Sequence, residues 1–342
     1  MSILRCFLFP FTLLYGLIIG IRNALYDLKI LKSKNHSIKL INVGNLSMGG
    51  TGKSPVTLYL ASLFSEKFNV AILSRGYGRK TKGYKQVEIN SLTTEVGDEP
   101  LMFKSLFANQ ITVAVCEDRN FGVEQIQTNF PKINVILLDD AYQHRKIRAG
   151  FSILLTTFEK PFFHDFIMPC GNLRESSNGA HRSNLILVTK CPEDLSENQK
   201  SEFRKNLEKY NKPVFFSRIN YGELVHFTFE IPTIKNVLVV AGIANPLDMI
   251  SKLSEKYYVE SVIFSDHHDF TRDEITKIHR KFDTFAAVDK AIITTQKDFV
   301  RLKDKVKVWG LVNYPWYILP ITIEIENEKE FNKLIIDYVG KN

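Results

Sequence analysis

The 342 residues include four cysteines, Cys6, Cys116, Cys170 and Cys191, and no two of them form a C-x-x-C pair. That spacing argues against a structural zinc site and a disulfide scaffold, and it fits a chain kept in a reducing cytosol. Low-complexity tracts are missing, as is any repeat at a solenoid or propeller period. With 44% hydrophobic and 24% charged residues, the composition is that of a folded protein long enough for two domains. Acidic residues are scarce in the first forty positions. Arg5, Arg22, Lys29, Lys32, Lys34 and Lys39 face Asp27 alone, so +5 of the net +8 is concentrated there. Such clustering favours an anionic membrane leaflet, at about 1 kcal/mol per basic residue near the surface. No nucleic-acid partner is expected, and the sequence does not give the oligomeric state.

A hydrophobic run long enough to span a bilayer is also lacking. Residues 6–21, CFLFPFTLLYGLIIGI, carry no charge. As a helix they would reach about 24 Å, against a hydrocarbon core of roughly 30 Å, and Pro10, Gly16 and Gly20 would loosen it. No small-x-small cleavage site follows, which argues against a secretory signal. A buried core helix and a monotopic anchor remain. The anchor is favoured because the basic run 22–39 would grip headgroups while the rest of the chain stays cytosolic.

Residues 38–45 read as a short buried strand, Ser47-Met-Gly-Gly-Thr-Gly-Lys-Ser54 follows, and Pro55–Phe64 has helical periodicity. Strand, glycine-rich turn, Lys-Ser and helix make the context of a phosphate-binding loop. In it Met48, Gly49, Gly50, Thr51 and Gly52 would turn backbone N–H groups toward phosphate oxygens, with the helix N-terminus adding partial positive charge. Lys53 would bridge the β- and γ-phosphates of ATP, and the Ser54 hydroxyl would ligate Mg²⁺. Ser47 stands where the usual pattern has glycine. The apolar run 134–138 closes on Asp139 and Asp140, carboxylates suited to holding Mg²⁺ directly or through water.

Other loops carry candidate chemistry. Ser74-Arg-Gly-Tyr-Gly-Arg79 puts Arg75 and Arg79 around mobile glycines, either as forked phosphate donors or as an exposed basic turn. In Gly97-Asp-Glu-Pro100 the acids Asp98 and Glu99 precede a helical stretch and could serve as its cap. Phe264-Ser-Asp-His-His-Asp-Phe-Thr271 gathers four titratable groups at the end of an apolar strand. Adjacent histidines in a strand point to opposite faces, so a shared metal is disfavoured.

Taken in order, VGNLSMGGTGKSP, SRGYGR, GDEP, DDAYQHR, PCGNLRE, VTK, AGIANP, DHHDFT and TQKD, with the apolar N-terminus, resemble the tetraacyldisaccharide 4'-kinase (lipid A 4'-kinase) family of Gram-negative bacteria. That family's loop also lacks the early glycine. The resemblance implies ATP-dependent phosphorylation of the 4'-hydroxyl of a lipid-linked disaccharide, tetraacyldisaccharide 1-phosphate, to give lipid IVA at the cytoplasmic face of the inner membrane. It implies that Asp98 and His267 form the acid–base pair. Asp139, Asp140, Gln143 and Glu175, with Ser54, would serve the magnesium region. Asn45, Arg75, Arg79, His144 and Arg174 would meet substrate or phosphate. The rival class is a membrane-associated P-loop ATPase or GTPase switch, since Thr295-Gln-Lys-Asp298 faintly resembles a guanine-reading loop, though with Gln296 where lysine is expected.

The expected architecture is α/β. A membrane-anchoring helix within 1–35 precedes a P-loop domain of mostly parallel sheet (36–218). A hairpin-like linker (219–235) leads to a smaller α/β domain (236–342). Strands are expected near 38–44, 69–74, 111–115, 134–139, 151–156, 184–189 and 213–218, then near 224–230, 236–241, 258–264, 290–295 and 317–324. The last helix, about 327–339, could pack on either domain.

Overall fold

The computed structural model describes residues 8–285 and 287–340. Its strands are β1 (Lys39–Asn45), β2 (Val70–Ser74), β3 (Lys85–Gln86), β4 (Thr112–Val115), β5 (Val135–Asp139), β6 (Phe151–Thr157), β7 (Leu185–Thr189), β8 (Val214–Tyr221), β9 (Val225–His226), β10 (Asn236–Ala241), β11 (Tyr258–Ile263), β12 (Lys290–Thr295), β13 (Trp316–Leu319) and β14 (Ile321–Ile325). Nine build one sheet in the order β14-β8-β7-β6-β1-β5-β2-β4-β3. The other five build a second, β11-β10-β12-β13-β9. The interior of the large sheet is parallel, and only its edge pairs, β14–β8 and β3–β4, are antiparallel. Runs such as VAILS, VILLD and LILVT are apolar almost throughout because helices cover both faces of a parallel sheet, and all three are buried end to end.

The chain leaves β1 for β2 and β4 on one side, then returns through β5 and β6 to build outward on the other. The carboxyl ends of β1, β5 and β6 therefore open onto the crevice where such sheets bind ligands. Helices α1 (Phe9–Asp27), α2 (Lys53–Ser65), α3 (Thr93–Val96), α4 (Asp98–Phe107), α5 (Arg119–Asn129), α6 (Glu197–Leu207), α7 (Leu247–Ser254), α8 (Arg272–Asp283), α9 (Gln296–Leu302) and α10 (Glu328–Gly340) connect or flank the strands. Val56, Leu60 and Phe64 recur at helical spacing along α2 and bury it against Ile41 and Val43 of β1.

The expected organisation is corrected at its C-terminal end. The apolar run 317–324 is two strands, because Pro320 cannot donate to a ladder and breaks the pairing. β13 stays in the small sheet, whereas β14 crosses back and pairs with β8 in register Ile321↔Tyr221. α10 follows it and buries Phe331, Ile335 and Val339 in the core of the large sheet. The second unit thus ends near Leu319 rather than at 342. Nor is 219–235 a hairpin. β8 runs on to Tyr221, and β9 pairs with β13. Two chain crossings join the units, held by Gly222 N–H donating to the Pro320 carbonyl at 2.9 Å.

Of the expected anchor, residues 6 and 7 lie outside the described residues, Leu8 caps α1, and α1 covers the rest. Thr12 is its one buried residue. Phe9, Phe11, Leu13, Leu14, Leu17, Ile18 and Ile21 are all more than half exposed, so α1 is not a core helix. Its other side is docked. The Tyr15 hydroxyl donates to the Arg174 carbonyl at 2.9 Å, Asn23 donates to Glu175 at 2.7 Å, and Arg22 donates to the Gln143 carbonyl.

Candidate active site

The loop after β1 curls as its glycines allow. Gly49 and Gly52 adopt φ of 101° and 81°, a region costly for residues with a Cβ, and Gly52 caps α2. The loop is braced from beneath. Asn45 donates to the Thr51 hydroxyl at 2.8 Å, and Thr189 at the end of β7 donates to the Thr51 carbonyl at 2.9 Å. Asn45, expected at the substrate, is fully buried and acts here as a brace. Lys53 points toward Asp140, Nζ to Oδ2 being 3.8 Å, and Ser54 Oγ donates to Glu99 Oε1 at 2.9 Å.

Asp139 and Asp140 end β5 and begin its loop. Asp139 is buried and accepts a bond from Ser74 at 3.0 Å. Burial, then the nearby Glu99 and Asp140 carboxylates, push its carboxyl up to about 7, against the pull of Lys53. Asp140 accepts from Arg174 at 3.0 Å. A cluster of oxygen donors sits beside the phosphate loop. Among the described residues there is no ready cage of three or more acidic, His or Cys ligands. Mg²⁺ at kinase sites takes one or two carboxylates with waters and phosphate oxygens, so Ser54, Asp139, Asp140 and Glu99 suit it.

The second unit supplies the facing wall. His267, at φ 61° on the loop after β11, places Nδ1 2.9 Å from Asp98 Oδ2. Asp98 opens α4 in the first unit and is buried. Burial alone would raise its carboxyl, but the His267 bond and the charges of Lys297 and Arg301 outweigh it and hold the group far below the ordinary carboxylate range. Lys297 Nζ lies 3.3 Å from His267 Nε2, 3.6 Å from Glu99 and 3.9 Å from Asp98. Burial works against its charge, yet Glu99, Asp98 and Asp266 together raise its pKa. Arg301 Nη2 donates to Asp98 Oδ2, while Nη1 donates to Asp298 at 2.7 Å and to the Gly242 carbonyl at 3.1 Å. One guanidinium thus ties the first unit's carboxylate to two groups of the second. An ammonium can only donate, so the Lys297 contact assigns Nε2 of His267 as acceptor and Nδ1 as the N–H that donates to Asp98.

Other expected residues sit elsewhere. Gln143 bonds the Asn45 carbonyl at 2.8 Å and Glu175 at 3.1 Å. Glu175 is buried and also holds Arg182 at 2.8 Å and Asn23. Its oxygens are engaged by Asn23, Gln143 and Arg182, whereas Gln143 Oε1 accepts at 3.2 Å from Arg174 Nη1, the nitrogen that also donates to Asp140, and so stays beside the carboxylates. Arg79 turns inward to Glu117 and the Gly83 carbonyl, both at 2.6 Å, with only 2% of its side chain exposed, so it braces its loop instead of meeting phosphate. Arg75 is exposed. His144 lies in the loop after β5, where burial and then Arg119 depress its pKa. The sequence reading missed Lys297, Arg301 and Asp298, and weighed Glu99 only as a cap. The signal was present in the i, i+4 spacing of Lys297 and Arg301, which puts both cations on one face of a short helix.

A model of the tetraacyldisaccharide-1-P 4'-kinase family (LpxK) matches residues 4–340. The chain is 44% identical to tetraacyldisaccharide 4'-kinase of Flavobacterium psychrophilum, over 99% of this chain and 98% of that one. It is 38% identical to the enzyme of the same name from Bacteroides thetaiotaomicron, over 98% and 93%. Among solved structures, LpxK from Aquifex aeolicus in complex with ATP superposes with a TM-score of 0.76 at 28% identity, covering 98% of this chain and 100% of that one. With its phosphate loop at the switch point of the large sheet and a second unit closing over it, this chain belongs to the tetraacyldisaccharide-1-P 4'-kinase family.

Proposed function

We propose that this protein transfers the γ-phosphate of ATP to the 4'-hydroxyl of tetraacyldisaccharide 1-phosphate, giving lipid IVA, at the cytoplasmic face of the inner membrane. The observation that carries the assignment of roles is the Asp98–His267 pair, built from both units and standing beside the Ser54–Glu99 contact. A sugar hydroxyl is a weak nucleophile and needs a base as the new bond to phosphorus forms. Asp98 is a poor base, since the His267 N–H and the Lys297 and Arg301 cations hold it ionised. His267 Nε2 is the proton acceptor, and Asp98 fixes the ring's tautomer and orientation by accepting from Nδ1. Because Lys297 occupies Nε2 here, the incoming hydroxyl must displace it. The released ammonium then lies within reach of the transferring phosphoryl group. Mg²⁺, held by Ser54 and Asp139 with Asp140 and Glu99, would neutralise charge on the phosphate oxygens. Lys53 and the loop N–H groups hold the β- and γ-phosphates. Closure of the second unit brings His267 and Lys297 to the first, so the base is complete only in the closed cleft and water is a poor acceptor.

The exposed apolar side of α1 lies in the membrane, and its docked side reaches the Arg174-Glu175 loop, so the lipid surface and the cleft share one support. The test is transfer from γ-labelled ATP to tetraacyldisaccharide 1-phosphate in mixed micelles, by wild type and His267→Ala. Labelled lipid from wild type, with a loss of about 10²–10⁴ in the variant, supports the reading. ATP hydrolysis without labelled lipid sinks it in favour of a nucleotide switch.

A further inference from the structure

On the face of the large sheet away from α2 lies a cavity of about 580 Å³. Its floor is the middle of three strands, where Asn42 of β1 pairs in register with Leu138 and Ser152. Its mouth is the segment just past α1. Two features there are unspent. At the floor and wall, Asn42 Oδ1 and His144 Nε2 are buried polar atoms without a hydrogen-bond partner, a cost a protein normally avoids. At the mouth, Lys29, Lys32 and Arg148 line the opening, and among the described residues their side chains form no ion pair. The acid on the rim, Asp27, is already neutralised by Arg145 at 2.6 Å. Leu28 and Ile30, 70% and 64% exposed, alternate with these lysines and continue the apolar side of α1. If that side lies in the acyl region, the mouth lies at headgroup depth.

We propose that this cavity is a headgroup site for an anionic phosphodiester lipid with a polyol arm, separate from the kinase cleft. The phosphate sits between Lys32 and Arg148, and the polyol reaches inward to satisfy Asn42 and His144. A hydroxyl can donate to Oδ1 and either donate to or accept from the imidazole nitrogen, which a choline or ethanolamine arm cannot do as fully. The placement of the mouth rests on the membrane apposition of α1 proposed above. The test therefore uses soluble short-chain lipid, so it reads the cavity alone.

Dihexanoyl phosphatidylglycerol, titrated calorimetrically into the full chain in a non-ionic detergent, should occupy one saturable site and bind more tightly than dihexanoyl phosphatidylethanol. Lys32→Ala with Arg148→Ala, both exposed and remote from the cleft, should weaken it about thirtyfold. Asn42→Ala should bring phosphatidylglycerol down to the affinity of phosphatidylethanol. Should that variant fail to fold, the exposed pair still decides. Equal binding of dihexanoyl phosphatidylcholine would overturn the site, as would equal binding of inorganic phosphate. So would binding that survives the double variant but is lost in Arg174→Ala, since the ligand would then lie in the cleft.

Discussion

The two walls of the cleft are built on different plans. The wall of the large sheet is local. Lys53, Ser54, Asp139 and Asp140 come from two adjacent strand ends, and each is placed by the turn that follows its own strand. The wall of the small sheet is assembled at a distance. His267 follows β11 and Lys297 and Arg301 stand on α9, and all three find their partner in Asp98, about 170 to 200 residues earlier in the chain. The first wall resembles a phosphate cradle that works alone. The second has no chemistry until the units meet, which is how a kinase confines its base to the closed state.

The largest test of this contrast is at the pair that spans it. Asp98→Ala should lower kcat by about 10²–10⁴ while ATP binding, read by nucleotide fluorescence, changes little, because the cradle does not include Asp98. Equal loss of nucleotide affinity would show that the walls are not separable.

Next comes Arg301, a positioning residue. Removing it leaves the Asp98 and Asp298 carboxylates buried beside each other with one cation fewer, and breaking such a pair costs about 3–5 kcal/mol. Arg301→Ala should lower the urea midpoint by a corresponding amount and open the cleft in solution scattering. Arg301→Lys should restore part of the stability. A readout that simple destabilisation would not move is the pH profile. Arg301 helps hold the Asp98 carboxyl down, so without it that carboxyl titrates higher and the acid limb of kcat/KM shifts up in pH.

The large-sheet wall is tested by pH and metal together. The Asp139 carboxyl is raised to about 7, so the stability it contributes is full below its unfolded value near 4 and is lost as pH rises through 7. A cation that binds the ionised form reverses this. Magnesium should therefore raise the melting temperature more at pH 8 than at pH 6, and Asp139→Asn should flatten that difference. A shift equal at both pH values would mean that Asp139 does not meet the metal.

Legibility in the sequence followed the same division. The strands of the large sheet were readable because strands buried on both faces are short apolar runs, and the phosphate loop because its glycines, Lys53 and Ser54 are contiguous. Asp98 and His267 were paired through resemblance, with no local signal joining them. Lys297 and Arg301 were missed because Thr295-Gln-Lys-Asp298 reads as a loop motif, whereas in the fold Thr295 caps α9 and Asp298 is buried in its first turn. Glu175 and Arg79 misled for the opposite reason. A charged residue in a glycine-rich loop invites a ligand, and burial had already given each a protein partner. The β13–β14 break went unread because apolar character continues across Pro320 and only the sheet pairing changes.

The smallest effects on stability are expected at α1, whose two sides repeat the contrast on a smaller scale. Asn23 bonds a buried carboxylate, and a hydrogen bond to a charged group is worth about 1.5–3 kcal/mol. Asn23→Ala should cost something near the low end of that range, since Glu175 keeps Arg182 and Gln143. On the other side Phe11→Ser removes no protein contact of note and should change unfolding stability by about 0.5 kcal/mol or less. Its effect belongs to the bilayer: partitioning into vesicles should fall, and with it turnover on lipid substrate, while unfolding is untouched. If Phe11→Ser instead destabilised the fold as much as Asn23→Ala, the exposed side of α1 would be covered by protein in solution. Its apolar surface would then be an interface between chains rather than with lipid.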